Sequence, residues 1–91
     1  MPHLQHWKAI ATHTGSNGVA KQIIEGSGAC LVRVVVPAGV SAPRHHHDHE
    51  QIVHVESGTG ELETEEGVKL FGPGSVFFFP PGTWHAARFE T

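Results

Sequence analysis

Glycine and proline interrupt this chain every several residues, and this spacing is what most limits how it can fold. Eleven glycines and six prolines separate short runs that are rich in Val, Ile, Phe and Thr. No window holds a sustained helical period, whereas short β-branched and aromatic runs between turn residues are typical of strands. The sequence therefore predicts an all-β fold, either a barrel or a sandwich.

The predicted strands differ in how apolar they are. They lie at 19–25, 29–36, 52–56, 60–65, 68–71, 75–79 and 84–91. The second run is almost entirely apolar, so we expect both of its faces to be buried, with Cys30 as a small buried hydrophobe. Arg33, the one charge in that run, either lies at an exposed edge or reaches a carboxylate. Three consecutive phenylalanines predict burial on both faces of the strand at 75–79 as well.

One strand carries a stripe of glutamates. In 60–65, Glu61, Glu63 and Glu65 alternate with Leu62 and Thr64. Alternation of this kind is typical of a strand with one face in water. Charges on a solvated face need no function to explain them, so we expect the stripe to be exposed and to tolerate substitution.

The length of the chain predicts that its fold needs outside support. At 91 residues it forms one domain, with an N-terminal arm at 1–18 and a folded body at 19–91. A chain this short buries only about 60–65% of the surface that it exposes when unfolded. A metal ion or a partner subunit would supply the missing stability, and we expect a homodimer. Ile52 and His54 would lie on an outer sheet face that a partner could cover.

Composition excludes several classes of partner. The net charge is −3 and the six Lys and Arg residues are scattered, which argues against binding to nucleic acid. No apolar run approaches the length of a membrane span and no signal peptide opens the chain, so no membrane association is expected. A single cysteine rules out an internal disulfide and fits the cytoplasmic location that we expect.

Histidines are concentrated in one short stretch. Four of the nine in the chain occur from His45 to His49. In an extended segment His45, His47, His49 and Gln51 point to one side, because side chains alternate along a strand. Neutral imidazole is the commonest protein ligand for divalent transition metals. The stretch therefore predicts part of a metal site, with His45 and His47 as the nearest pair.

A complete metal site needs a further ligand from elsewhere in the chain. The histidine stretch leaves a tetrahedral or octahedral ion short of ligands, whether His49 or Gln51 is the third. His85 is the histidine set in a rigid frame, after the Pro-Pro-Gly turn at 80–82 and beside Trp84. A stiff turn is a device that can hold a ligand in place, so His85 is the candidate for the additional position.

Two ordered motifs of this chain resemble those of the small single-domain cupins of the RmlC-like superfamily. The first consists of Gly39, the run His45-His46-His47, Gln51 and Gly58. The second consists of Gly74, the turn Pro80-Pro81-Gly82, His85 and Phe89. The spacings within the motifs and between them are similar to those of the family, and together they cover more than half of the chain.

The resemblance implies a small cupin β-barrel, a jelly roll or double-stranded β-helix, formed by residues 19–91. It implies one divalent metal ion inside the barrel, with the matching residues His45, His47, Gln51 and His85 as ligands. Zn, Ni, Mn, Fe and Cu all accept such a set of imidazole and oxygen ligands, so the identity of the ion stays open.

The chain departs from the family pattern at three places. Gln51 stands where many cupins have Glu, a departure shared by small cupins with a His-x-His-x-His-Glu-Gln run. Phe89 stands where many have Asn. Relatives usually have one more strand after the second motif, so we expect a barrel that is open there or completed by a partner's arm, or else a truncated chain.

The His-Glu-Gln run resembles that of the pectin-degradation cupins, which help to open the ring of unsaturated uronates. This resemblance implies a metalloenzyme with lyase or isomerase chemistry on a small, oxygen-rich substrate similar to a sugar acid. His49 is the candidate general base if it is not a ligand, because Glu50 has the opposite parity. Two alternatives stay open: a metal-dependent dioxygenase, and a non-catalytic module that binds a small molecule.

Overall fold

The computed structural model describes residues 2–91, and its regular structure is almost entirely β. One 3-10 turn occupies Trp7–Ala9. The strands are β1 (His13–Thr14), β2 (Ala20–Glu25), β3 (Cys30–Val35), β4 (Ser41–His45), β5 (Gln51–His54), β6 (Gly60–Thr64), β7 (Gly67–Phe71), β8 (Val76–Phe79) and β9 (His85–Phe89). The all-β prediction is confirmed. Between Pro2 and Thr91 the chain has no helix with the length and hydropathy needed to span a bilayer.

The chain divides by its contacts into two compact units, Met1–Pro37 and Ala38–Thr91. The first unit is a three-stranded antiparallel sheet in the order β1-β2-β3. The segment before β1 is tied to this sheet by Gln22, whose Nε2 donates to the carbonyl oxygens of Trp7 at 2.6 Å and Ile10 at 3.0 Å. The division into an arm at 1–18 and a body at 19–91 stays a prediction.

The expectation that the strand at 29–36 is buried on both faces is wrong. All six residues of β3 are exposed, including Leu31 at 59% and Val35 at 51%. β3 lies at the edge of its sheet, and burial of both faces would need a covering layer on each side, which the first unit does not supply. Cys30 is exposed for the same reason. Arg33 is exposed too and donates to the amide oxygen of Gln22 rather than to a carboxylate.

The second unit contains a four-stranded sheet in the order β4-β9-β6-β7 and a two-stranded sheet of β5 and β8. Its core consists of Phe71, Phe79 and His85, each less than 8% exposed. The Phe71 ring lies edge-on to Phe77, with centroids 5.2 Å apart, and to Phe89, with centroids 5.7 Å apart. These contacts join β7 and β9 of the larger sheet to β8 of the smaller one.

Phenylalanine burial in β8 follows the alternation of the strand. Phe79 is buried and Phe77 is half-buried, but Phe78 is 56% exposed. The expectation of burial on both faces is therefore wrong for Phe78, because the face of β8 that carries Phe78 and the 64% exposed Val76 is not covered by others among residues 2–91.

The glutamate stripe is partly covered, contrary to the expectation of a simply solvated face. Glu65 is exposed, whereas Glu61 and Glu63 are half-buried. Arg88 lies directly opposite Glu61 in the β6–β9 register, and its Nη2 is 3.0 Å from Glu61 Oε1. Arg44 Nη2 is 3.7 Å from Glu63 Oε1. Strand β9, which pairs with β6, and strand β4, which lies beyond β9, thus supply cations to two of the three glutamates.

Candidate metal centre

Three histidine rings from distant parts of the sequence meet in the second unit. His45 ends β4, His85 begins β9, and the two are register partners. Their ring centroids are 4.2 Å apart, and the His47 ring lies 5.1 Å from His45 and 5.8 Å from His85. One ligand nitrogen from each ring lies within 4.8 Å of the others. Two nitrogens about 2.1 Å from one ion are at most about 4.2 Å apart, so the three rings are close to coordination spacing.

A β-bulge in β4 directs His45 toward this cluster. The register of β4 with β9 shifts between Ala42 and His45, so Pro43 and Arg44 together lie opposite Ala86. A bulge changes the direction of the side chains that follow it and tolerates a proline, which has no N–H for the ladder. Ala42 and His45 are both half-buried as a result.

The segment that carries His47 is bent rather than extended. β4 ends at His45 and β5 begins at Gln51, with a bend at Asp48 and His49, so the expectation of one extended histidine run is wrong. The amide of Gly82 donates to the carbonyl oxygen of His47 at 2.8 Å. The stiff turn that precedes His85 therefore also anchors the backbone of His47.

Two backbone carbonyls favour one tautomer in two of the three rings. His45 Nδ1 lies 2.7 Å from the carbonyl oxygen of Pro43, and His85 Nδ1 lies 3.3 Å from that of Thr83. A carbonyl oxygen only accepts, so each Nδ1 carries the hydrogen and each Nε2 is free to bind a metal. Sequence reasoning missed both carbonyls, because every residue has one and no residue type marks these two.

The surroundings of the cluster favour neutral rings. Burial lowers the pKa of His85, and the neighbouring His45 lowers it further. Burial also lowers the pKa of His47, with smaller contributions from His45 and His49. A neutral imidazole is the form that binds a metal, so the lowered pKa values of both rings favour the form that can coordinate.

Gln51 contributes a buried oxygen without a partner. It begins β5, directly opposite Phe79, whose ring stacks on His85 with centroids 3.9 Å apart and planes 3° apart. Oε1 of Gln51 is buried and finds no hydrogen-bond partner among residues 2–91. An unpaired buried acceptor costs about 1–3 kcal/mol. A metal ion is a species that would satisfy it.

The other histidines of the stretch lie outside the three-ring cluster. His49 is exposed, and its ring stacks on His47 with centroids 5.1 Å apart and planes 30° apart. His46 is exposed, as is His54 on the outer side of β5. The structure therefore brings His45, His47 and His85 together and leaves His49 beside them, in contact with solvent.

A cation–π contact links the neighbours of two cluster histidines. The guanidinium carbon of Arg44, which precedes His45, lies 3.9 Å from the ring centroid of Trp84, which precedes His85. Contacts of this kind are worth about 0.5–1 kcal/mol at exposed sites. Trp84 is part of the frame expected around His85, and its contact with Arg44 links this frame to β4.

Phe79 also lines a groove of about 630 Å³. The walls of this groove combine aromatic side chains, Phe71 and Phe79 among them, with the charged side chains of Glu65 and Lys69. Phe79 is common to the groove and the histidine cluster, because the same ring stacks on His85.

The cupin domain family matches residues 32–91, which is more than half of the chain. The chain therefore belongs to the cupin family. The resemblance predicted from the two motifs is confirmed, as is the small cupin jelly-roll fold that it implied.

The solved structures that are similar to the chain include the following two. An RmlC-like cupin from Shewanella frigidimarina NCIMB 400 aligns with a TM-score of 0.85 and 21% identity, over 100% of this chain and 83% of that one. This likeness concerns the fold. KdgF from Halomonas sp. aligns with a TM-score of 0.79 and 27% identity, over 88% of this chain and 74% of that one. No curated protein matches the sequence.

Proposed function

We propose that this cupin binds one divalent metal ion through His45, His47, Gln51 and His85. The observation that carries the proposal is the meeting of three histidine rings in the unit where Gln51 holds a buried oxygen without a partner. The free Nε2 atoms of His45 and His85 fit this role. Three imidazoles and one amide oxygen suit Zn, Ni, Mn, Fe or Cu.

We further propose lyase or isomerase chemistry on a small, oxygen-rich substrate similar to a sugar acid. The resemblance of the His-Glu-Gln run to the pectin-degradation cupins supports this reaction class, and so does the likeness to KdgF. All four proposed ligands are neutral, so a bound divalent ion would keep its full charge and would strongly polarise a carbonyl or carboxylate oxygen of the substrate.

His49 is the proposed proton-transfer residue. Its ring is exposed and stacks on His47, so it lies beside the proposed ligands and remains open to a substrate. Glu50 is exposed and has the parity of the outward-facing Ile52. Phe79 packs flat against His85, which keeps water from that side of the ring and holds its orientation.

Elemental analysis of protein purified without added metal tests the ligand set. We expect wild-type protein to contain close to one divalent ion per chain. The His85→Ala variant should lose most of it, whereas His46→Ala should retain it, because the His46 side chain is exposed outside the cluster. A metal-free His46→Ala variant alongside a loaded His85→Ala variant would contradict the assignment.

Turnover assays with an unsaturated uronate, run both with and without oxygen, test the reaction class. Conversion without oxygen supports the proposal, and conversion that consumes oxygen identifies a dioxygenase instead. Tight binding without conversion identifies a non-catalytic binding module. The His49→Ala variant should keep its metal and lose about 10²-fold to 10⁴-fold in turnover. Unchanged turnover in this variant excludes His49 from proton transfer.

A further inference from the structure

The side chain of Arg44 crosses strand β9 on one face of the four-stranded sheet. The order β4-β9-β6-β7 places β9 between Arg44 and Glu63. Arg44 Nη2 nevertheless lies 3.7 Å from Glu63 Oε1, and the guanidinium carbon lies 3.9 Å from the ring centroid of Trp84, which directly precedes β9. Ala86 is the register partner of Glu63 on β9, and its small side chain leaves the crossing open.

The two residues of the cation–π contact each adjoin a proposed metal ligand. Arg44 directly precedes His45, and Trp84 directly precedes His85. Side chains alternate along a strand, so the contact lies on one face of the sheet and the two imidazoles lie on the other. The contact between guanidinium and indole therefore limits how far β4 and β9 can separate where the rings of His45 and His85 meet, 4.2 Å apart.

The end of β4 has few backbone bonds to hold it against β9. The register shifts between Ala42 and His45, and Pro43 has no N–H to donate to the ladder. A bulge leaves its extra residue unpaired and disrupts the ladder locally. A side-chain contact at this point therefore has more influence on strand spacing than the same contact on a regular ladder.

Arg88 offers a comparison on the same face of the sheet. Its Nη2 lies 3.0 Å from Glu61 Oε1 and 3.2 Å from Glu90 Oε1, so its ion pairs are shorter than that of Arg44. Its side chain is 56% exposed, against 64% for Arg44. Neither of its partners adjoins a proposed metal ligand. Arg88 therefore separates a general effect on stability from an effect on the two imidazoles.

We propose that Arg44 is a positioning residue for the metal site. Held against Trp84 and Glu63, its guanidinium keeps the end of β4 close to β9. This contact fixes the spacing of His45 and His85 from the opposite face of the sheet, without touching the ion. The inference rests on the metal binding proposed above, and ligands that are held in place before binding give the higher affinity.

Titration of the full chain with Co²⁺, followed by the visible absorption of the bound ion, tests this role. Arg44→Gln should raise the Kd for Co²⁺ about tenfold and shift the absorption bands, which depend on coordination geometry. Trp84→Leu should do the same, whereas Trp84→Phe keeps an aromatic face and should retain most of the affinity. The double variant Arg44→Gln/Trp84→Leu should bind no more weakly than the weaker single variant, because both changes remove one contact.

Arg88→Gln is the matched control and should leave the Kd and the absorption bands unchanged. Circular dichroism confirms folding of each variant. An unchanged Kd in Arg44→Gln, or an equal rise in Arg88→Gln, overturns the positioning role of Arg44.

A measurement on metal-free protein separates this inference from the proposed metal binding. Nuclear Overhauser contacts between the ring protons of His45 and His85 should be weaker in Arg44→Gln than in wild-type protein or Arg88→Gln. Ring contacts that are equally strong in all three overturn the inference, whether or not the ion binds. Failure of wild-type protein to bind Co²⁺, with ring contacts that depend on Arg44, overturns the metal function and leaves Arg44 as the group that sets the ring spacing.

Discussion

At Gln51 a single side-chain oxygen affects both the metal affinity of the site and the stability of the fold. This atom, Oε1, is buried without a hydrogen-bond partner among residues 2–91, which is unfavourable but involves no charge. A carboxylate at the same place would be a stronger ligand for a divalent ion and a worse group to bury alone. Metal affinity and metal-free stability are therefore expected to respond in opposite directions to a change at this position.

We expect Gln51→Glu to lower the Kd for Zn²⁺ at least about tenfold, since an anionic oxygen gains Coulomb energy next to a cation. The same variant should lower the free energy of unfolding of the metal-free protein by about 1–3 kcal/mol. Chelator competition measures the first effect and urea unfolding in the presence of a chelator measures the second. Gln51→Leu is the control, because it removes the oxygen and should weaken Zn²⁺ binding. An unchanged Kd in both variants would show that Gln51 is not a ligand.

Among single residues, the histidines of the cluster were predictable from the sequence, whereas their backbone partners were not. The meeting of His45, His47 and His85 was expected because the two motifs that contain them resemble those of the cupins, a resemblance that implies one shared metal for the matching residues. The backbone oxygens of Pro43 and Thr83 that orient two of the rings could not be predicted, because their role depends on the final conformation alone.

Among the elements, β6 depends on a glycine for its contact with β9 and the core. Gly60 is buried, and a Cβ atom there would collide with the carbonyl oxygen of Arg88 and the ring of Phe71. The carbonyl belongs to the neighbouring strand and cannot rotate away without breaking the ladder. The close approach of β6 and β9 at this point therefore requires glycine.

We expect Gly60→Ala to destabilise the protein by about 2–4 kcal/mol, because overpacking against a backbone atom forces a shift of the strand. Gly28→Ala is the control. A Cβ atom at Gly28 meets nothing within 4 Å, so the change should be neutral or slightly stabilising. Urea unfolding measures both, and equal stabilities for the two variants would contradict the close packing at Gly60.

The glutamates of the stripe should differ in the stability that charge reversal costs, because they differ in ion pairing. Charge reversal by Glu61→Lys places two cations together, because Arg88 Nη2 lies 3.0 Å from Glu61 Oε1, whereas Glu65 is exposed. We expect Glu61→Lys to cost up to about 1 kcal/mol and Glu65→Lys to stay within about 0.5 kcal/mol. Thermal melts at low and high salt measure the difference, which should shrink as salt screens the charges. A larger loss for Glu65→Lys would contradict this ranking.

The elements also show why burial was predicted less well than strand positions. Turn residues and β-branched runs locate a strand, because these preferences are local. Burial depends on what covers the strand, and this information lies elsewhere. β3 and the outer face of β8 are apolar in sequence and open in the structure, since no second layer of their own unit covers them.

At the scale of the whole molecule, the histidine cluster links stability to pH. The pKa values of His47 and His85 are lowered in the folded state, while in the unfolded chain they return to about 6.5. The unfolded state therefore binds more protons near that pH. By linkage, the stability of the metal-free protein is fully present above about pH 6.5 and falls as the pH drops through 6.5 toward the lowered folded values.

We expect the melting temperature of chelator-treated protein to be level from about pH 8 to 7 and to fall between about pH 6.5 and 5.5, before most carboxylates titrate. The His85→Phe variant should show a shallower fall, because one of the two responsible rings no longer titrates. With Zn²⁺ present the fall should be steeper, since protons then compete with the ion for the same nitrogens. A melting temperature that rises as the pH drops from 7 to 5.5 without metal would contradict the lowered pKa values and the picture of rings held neutral for coordination.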